Sequence, residues 1–79
     1  MDLRQLVGTN VRAFRERLGV SQEELAFRAK LHRTYVSGVE RGVRNPTVVI
    51  IGRLAKALKV EPATLLTRAE KRIRSLNDL

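Results

Sequence analysis

Three polar side chains at helical spacing form the first candidate site. Arg33, Thr34 and Ser37 occupy positions i, i+1 and i+4, so that a helix would place them on one face. A guanidinium group suits bidentate hydrogen bonds to guanine, and the Thr and Ser side chains suit a base edge, a thymine methyl or a phosphate. The chain has one histidine and no cysteine, which leaves no metal cluster and no nucleophile paired with a base. These residue types favour nucleic-acid binding, and we expect no enzymatic activity, no metal and no cofactor.

Two short helices are predicted to position these side chains. Ser21 is a good N-cap and Glu24 is placed to complete a capping box, so the first helix is expected to begin near Gln22. The helical pattern breaks at residues 30–32 and resumes until Gly42, which can adopt a positive φ. The inward positions of the two helices are Leu25, Ala26 and Ala29, and then Val36 and Val39.

Two helices joined by a short turn, the second with outward polar side chains, form the helix-turn-helix that fills a DNA major groove. The motifs SQEELA (21–26), VERG (39–42) and RNPT (44–47) resemble the Xre-type repressor and Cro superfamily. RAKL at 28–31, followed by RTYVSGVER at 33–41, is similar to restriction-modification controller proteins. The resemblance covers roughly residues 5–66. It implies an all-α, compact five-helix bundle of the lambda-repressor-like type, with the helix-turn-helix at residues 22–40 and double-stranded DNA as the partner.

The resemblance also implies roles for individual residues. Arg15 is expected to form an ion pair with Glu40 that locks two helices together, and Tyr35 to contact the DNA backbone or a deformable base step beside the other base-reading residues. Gln22 is expected to hold the DNA backbone. Its place in the first turn of a helix supports this, because the backbone N–H groups there lack partners and attract phosphate.

Further phosphate contacts are expected on both sides of the second helix. Arg17 precedes the helix-turn-helix, and a basic loop follows it, where long donors can track the DNA backbone. An ordinary solvated surface is the alternative for any one of these bases. The full predicted phosphate-binding set is Arg17, Ser21, Gln22, Arg41, Arg44 and Asn45.

Three residues depart from the superfamily pattern. Lys30 stands where a turn glycine is usual, which is unfavourable by about 1 kcal/mol if the backbone needs a positive φ. His32 takes an N-cap position that Ser, Asp or Asn fills better. Gly38 falls where several relatives carry a base-reading side chain, so we expect that position to read nothing.

Length and charge agree with a single DNA-binding domain over residues 1–79. The chain has 79 residues and a net charge of +8, with nine bases against three acids in residues 41–79. A polyanion is the favoured partner, although a ribosomal protein or a membrane-surface peptide would share this charge. We expect a bacterial or phage protein that is cytoplasmic, nucleoid-associated and without a membrane partner. Binding of single-stranded RNA by stacking is disfavoured because Phe14 and Phe27 are expected to be buried, which leaves only Tyr35.

Longer helices are predicted around this motif. One spans residues 3–18 and another, capped by Thr47, spans residues 48–59. Their expected core residues are Leu3, Val7, Val11, Phe14 and Leu18, and then Val48, Ile51, Leu54, Ala55 and Leu58. A last helix over residues 61–76 carries an apolar stripe that a monomer leaves uncovered. We assign it to dimerisation, with an interface of Ile50, Leu65, Leu66, Ala69, Ile73 and Leu76.

The leading interpretation is a homodimeric transcriptional regulator on a palindromic operator, in the role of a restriction-modification controller. RNA polymerase is a further candidate partner. An antitoxin-like protein-interaction module and a phage-type repressor remain alternatives, because one fold serves several functions. We expect no small-molecule ligand, since no segment is large enough for a sensing domain.

Overall fold

The computed structural model describes residues 2–68, and these residues form an all-helical domain. The class agrees with the prediction, but the described part contains four α-helices and one short 3₁₀ helix in place of five full helices. The elements are α1 (Leu3–Leu18), α2 (Gln22–Ala29), α3 (Arg33–Glu40), α4 (Val48–Leu58) and the 3₁₀ helix Pro62–Leu66. None of the helices described is long and apolar enough to cross a lipid bilayer.

Side-chain caps define where the helices begin. Ser21 accepts a hydrogen bond from the Glu24 backbone N–H at 3.0 Å, but the Glu24 carboxylate accepts from Arg28 instead of completing the predicted capping box. The reciprocal box is found one helix earlier. There, Asp2 accepts from the Gln5 N–H at 3.0 Å and the Gln5 side chain accepts from the Asp2 N–H at 3.4 Å.

The core lies where α1, α2, α3 and α4 meet the 3₁₀ helix. Its fully buried side chains are Val11, Leu25, Val36, Val39, Leu54, Ala55 and Leu65. Two predicted core residues are wrong, because Leu3 is 67% exposed and Val48 is 85% exposed. Each is the first residue of its helix, where the Cα–Cβ bond tilts toward the N-terminus and carries the side chain off the end of the core. Leu6 is buried in α1 instead.

Phe27 also contradicts the sequence prediction. Its side chain is 80% exposed on α2, whereas the neighbouring Leu25 and Ala26 are buried. Phe14 is half-buried against the core. The domain therefore exposes one aromatic ring on the helix that precedes the turn.

Two helices end at lysines with left-handed backbone. Lys30 has φ 58° after α2 and Lys59 has φ 62° after α4. The turn after α2 thus needs a positive φ without a glycine, which is unfavourable by about 1 kcal/mol. The sequence suggested a positive φ at Lys30 but gave no such indication for Lys59.

Asn10 joins α1 to the end of the described chain. Its side chain is 2% exposed, and its amide donates to the carbonyl oxygens of Leu65 at 2.8 Å and Thr67 at 3.0 Å. Leu65 is fully buried in this core, so its predicted place in a dimer interface is wrong. Thr67 has extended backbone, which interrupts the single helix expected over residues 61–76. Ala69, Ile73 and Leu76 lie outside the described residues.

Candidate nucleic-acid interface

α2 and α3 are joined by a turn of three residues, Lys30–His32, as the sequence predicted. Backbone hydrogen bonds close the turn, from the Leu31 N–H to the Ala26 oxygen at 2.8 Å and from the Lys30 N–H to the Phe27 oxygen at 3.2 Å. α2 packs against α3, and its buried residues include the small side chains of Ala26 and Ala29. The pair therefore has the arrangement of a helix-turn-helix.

α3 divides its residues between the core and the outside. Val36 and Val39 are fully buried, whereas Arg33 and Thr34 are exposed at its N-terminal end and Ser37 is half-buried. The His32 side chain makes no cap hydrogen bond, as expected for a poor N-cap. The donors predicted to read bases thus lie on the side of α3 away from the core; their role on DNA stays a prediction.

A polar network fixes α3 against the two preceding helices. Arg15 of α1 donates to both oxygens of the Glu40 carboxylate, at 2.6 and 3.1 Å. The side chains are only 14% and 4% exposed, so the ion pair that the resemblance implied is present and largely removed from water. The hydrogen bond to Glu40 raises the pKa of Arg15 further above its usual range. Arg15 also donates to the Val20 carbonyl oxygen at 3.0 Å, which ties down the link between α1 and α2.

Gln22 is part of the same network, which the sequence did not predict. Its side-chain amide donates to Glu40 at 3.0 Å, so the first turn of α2 lies beside the last turn of α3. Arg41 follows immediately and is exposed. Two predicted phosphate-binding residues, Gln22 and Arg41, therefore converge at the C-terminal end of α3.

The loop after α3 folds back onto the helix. The Gly38 carbonyl oxygen accepts hydrogen bonds from the Val43 and Arg44 N–H groups, at 3.0 and 3.2 Å. The Arg44 guanidinium lies over the Tyr35 ring, with its central carbon 5.6 Å from the ring centroid. This distance is within the range of a cation–π interaction.

The Arg44 side chain packs against Gly38, where no β-carbon is in its way. A β-carbon built on Gly38 would lie 2.5 Å from Cγ of Arg44, and Gly38 is buried. The Arg44 side chain crosses α3 at that point, and the expectation that Gly38 itself reads no base stays a prediction. No short sequence pattern signals this contact between residues six positions apart.

The remaining predicted phosphate-binding residues lie at the surface. Ser21 and Asn45 are exposed. Arg17 is exposed and its guanidinium carbon lies 5.6 Å from the centroid of the Phe14 ring. Within residues 2–68, no three His, Asp or Glu side chains come together in a group that could hold a metal ion. Taken together, α2, α3 and the loop define a helix-turn-helix with an exposed polar and basic surface.

Comparison with known proteins agrees with this class. The Helix-turn-helix family model (HTH_3) matches residues 11–65. Control protein C.BamHI of Bacillus amyloliquefaciens is 47% identical over 66 residues, which cover 82% of each chain. The crystal structure of the hypothetical transcription factor NHTF from Neisseria superposes with a TM-score of 0.89 at 44% identity, over 92% of this chain and 84% of that one.

A third similar structure is that of SinR, the master regulator for biofilm formation, in complex with DNA. It has a TM-score of 0.74 and 31% identity, over 77% of this chain and 98% of that one. The chain belongs to the helix-turn-helix family of DNA-binding transcriptional regulators.

Proposed function

We propose that this regulator binds palindromic operator DNA as a homodimer, with α3 as the recognition helix in the major groove. The observation that carries the proposal is the division of α3, whose valines are buried while Arg33 and Thr34 are exposed at its N-terminal end. In helix-turn-helix proteins the N-terminal residues of the second helix contact base edges. SinR, which is similar in fold and 31% identical, has been crystallised with DNA.

Base reading is assigned to four side chains of α3. Arg33 suits a guanine, Thr34 a base edge or thymine methyl, and Ser37 a base or phosphate. Tyr35 is half-buried beneath the guanidinium of Arg44. We therefore assign Tyr35 and Arg44 to one unit, in which the ring orients the arginine toward the DNA.

Phosphate anchoring is assigned to the two margins of α3. Gln22 and Arg41 lie at its C-terminal end, where the Gln22 amide can donate one N–H to Glu40 and offer its second to a phosphate. Arg44 and Asn45 continue this group of phosphate-binding residues along the loop after α3. The second group consists of Arg17 and Ser21, which precede α2. Contacts of this kind fix the register of the protein and carry no sequence information directly.

The size of the recognition helix supports the proposed dimer. α3 has eight residues, which span about 12 Å and reach only a few base pairs. A two-fold dimer sets two such helices about 34 Å apart on a palindromic site. We assign the contact to Leu66, which is 45% exposed, to Ile50, and to the apolar positions Ala69, Ile73 and Leu76 that follow in the sequence.

The experiment that tests this function is selection of bound duplexes from a random DNA pool. We expect a palindromic motif whose base preference relaxes at one position of each half-site in Arg33→Ala. Arg44→Ala should weaken all sequences nearly uniformly and reduce the salt dependence by about one phosphate per protomer. Arg12→Ala on the exposed side of α1 is the matched control and should change neither. Failure to enrich any motif would refute sequence-specific binding and favour the protein-interaction module.

We further assign the regulator to the control of a restriction-modification system, because C.BamHI, at 47% identity, is a control protein. The expected consequence is an operator in front of the regulator's own gene, in the neighbourhood of genes for an endonuclease and a methyltransferase. A reporter fused to that promoter should respond to the regulator in a dose-dependent way, with RNA polymerase as the further partner. A selected motif absent from the regulator's own promoter would contradict this role.

A further inference from the structure

A cleft between the C-terminal ends of α2 and α4 brings five cationic side chains together. Its volume is about 520 Å³, and it is lined by five basic side chains and two alanines. The basic side chains are Arg28, Lys30, Arg53, Lys56 and Lys59. Because these residues are scattered over 32 positions of the sequence, no motif reveals them. The fold alone brings them to one place.

Helix ends and acids neutralise only part of this charge. Within residues 2–68, Glu24 pairs with Arg28 at 3.0 Å, and no carboxylate pairs with the other four cations. Two helix C-termini also lie here, and each carries roughly half a negative charge. Cations commonly stabilise helix C-termini, but the two half negative charges together offset only one of the four cations that lack a carboxylate partner. An excess of about three positive charges stays in the cleft.

One of these cations, Arg53, is held in place by backbone carbonyl groups. Arg53 donates to the Ala29 carbonyl oxygen at 2.9 Å and to the Lys30 carbonyl oxygen, which anchors its guanidinium at the end of α2. Lys30 and Lys59 both line the cleft from left-handed helix ends, with φ 58° and 62°. Glycine would adopt these conformations with less strain. Non-glycine residues in this region are enriched at ligand-binding sites.

We propose that this cleft binds a compact polyphosphate anion, of the kind carried by a nucleoside triphosphate or by inorganic polyphosphate. Two or three linked phosphate groups carry about the charge that the cleft leaves unbalanced. The volume falls within the range of small-ligand sites, about 300–1,000 Å³. None of the residues that line the cleft belongs to α3, so the cleft is distinct from the exposed face of α3 that carries Arg33 and Thr34. It therefore reopens the question of a small-molecule ligand.

Titration calorimetry of the full chain with inorganic tripolyphosphate, at fixed ionic strength and without divalent cations, tests the proposal. We expect saturable binding of one anion per chain. The double variant Lys56→Gln/Lys59→Asn should weaken it by about tenfold or more, since glutamine is as helix-compatible as lysine and asparagine tolerates the left-handed backbone. Thermal denaturation verifies that this variant is folded. Comparison of adenosine triphosphate with tripolyphosphate and adenosine then shows whether a nucleoside adds affinity to the phosphate chain.

The matched control is Arg4→Gln/Arg12→Gln, which removes two positive charges from exposed positions of α1. It should leave tripolyphosphate affinity within about twofold, and Arg33→Ala should do the same. If the cleft and control variants lost equal affinity for tripolyphosphate, the proposal would be overturned, because net charge alone would then explain the binding. Two other results would also overturn the proposal. One is loss of tripolyphosphate binding in Arg33→Ala, and the other is a cleft variant whose affinity for duplex DNA falls as much as its affinity for tripolyphosphate. In either case the anion would occupy the DNA surface.

Discussion

Replacing Gly38 with alanine is expected to separate stability from DNA binding. Gly38 lies inside α3, and the absence of a β-carbon there leaves room for the side chain of Arg44. An added β-carbon would lie 2.5 Å from Cγ of Arg44, whereas ordinary contacts begin near 3.4 Å. Arg44 must therefore retreat by about 1 Å and leave its place over Tyr35, since the neighbouring helix backbone cannot yield.

The two effects of this substitution have opposite signs. Alanine in a helix interior is more favourable than glycine by about 1 kcal/mol. An exposed cation–π interaction contributes about 0.5–1 kcal/mol, so the free energy of unfolding should remain nearly unchanged or rise slightly. If the Tyr35 contact orients Arg44 for DNA, its loss weakens binding by about 0.5–1 kcal/mol per protomer, or roughly 2- to 5-fold. For a dimer the effect doubles in free energy, which gives about 5- to 30-fold.

Fluorescence anisotropy with the selected operator, together with thermal denaturation, measures both quantities. Gly52→Ala is the matched control, because a β-carbon at Gly52 meets nothing within 4 Å in the middle of α4. It should raise stability by up to about 1 kcal/mol and leave DNA affinity unchanged. On an Arg44→Ala background, Gly38→Ala should have no further effect on affinity. Unchanged affinity in Gly38→Ala, or a full additional loss on the Arg44→Ala background, would refute the coupling.

Three further outcomes are expected. Arg15→Met leaves the Glu40 carboxylate, which is 4% exposed, without its charged partner, and should lower the free energy of unfolding measured in urea by about 3 kcal/mol. Arg12→Met, which breaks an exposed ion pair, should change the free energy of unfolding by less than about 0.5 kcal/mol. Similar values for the two variants would contradict the burial argument. Asn10→Leu removes the donor to two carbonyl oxygens and should cost about 2 kcal/mol, so a change below about 0.5 kcal/mol in the same assay would argue against the tether. The Gln5 N–H lowers the pKa of Asp2, so its cap is present at neutral pH and is lost as pH falls through that lowered pKa. The difference in Tm between wild type and Asp2→Ala, which removes the cap, should therefore shrink in acid, and parallel pH profiles would exclude the effect.

Local patterns predicted the helix-turn-helix closely. Ser21 as an N-cap, the inward positions of α2 and the paired valines of α3 are all encoded within one or two helical turns, where periodicity and capping act directly. The observed α2 and α3 span Gln22–Ala29 and Arg33–Glu40, which are the limits expected. The left-handed conformation at Lys30 was suggested only by the superfamily resemblance, in which a glycine is usual at this position of the turn.

The errors arose where distant segments decide the outcome. Leu65 looked like part of an uncovered stripe, but it is buried against α1, where Asn10 holds its carbonyl oxygen across 55 positions of sequence. Leu3 fits the helical periodicity of α1, yet within residues 2–68 no other element covers the first residue of that helix. Periodicity identifies the face of a helix, whereas burial at its ends depends on how far the neighbouring elements extend. The pairing of Arg44 with Gly38 and the basic cleft are likewise products of tertiary structure.

The Glu40 carboxylate gives α3 its orientation. Val36 and Val39 hold α3 against the core. Apolar contacts are non-directional, so on their own they would allow this short helix to rotate about its axis. Glu40 adds direction, because its two oxygens accept from Arg15 of α1 and from Gln22 of α2 in a fixed geometry. A rotation of α3 that moved Arg33 to another position on the surface would break these bonds while the carboxylate remained buried. The buried charge, which contributes little net stability over an apolar pair, thus specifies which side of the eight-residue helix faces away from the core.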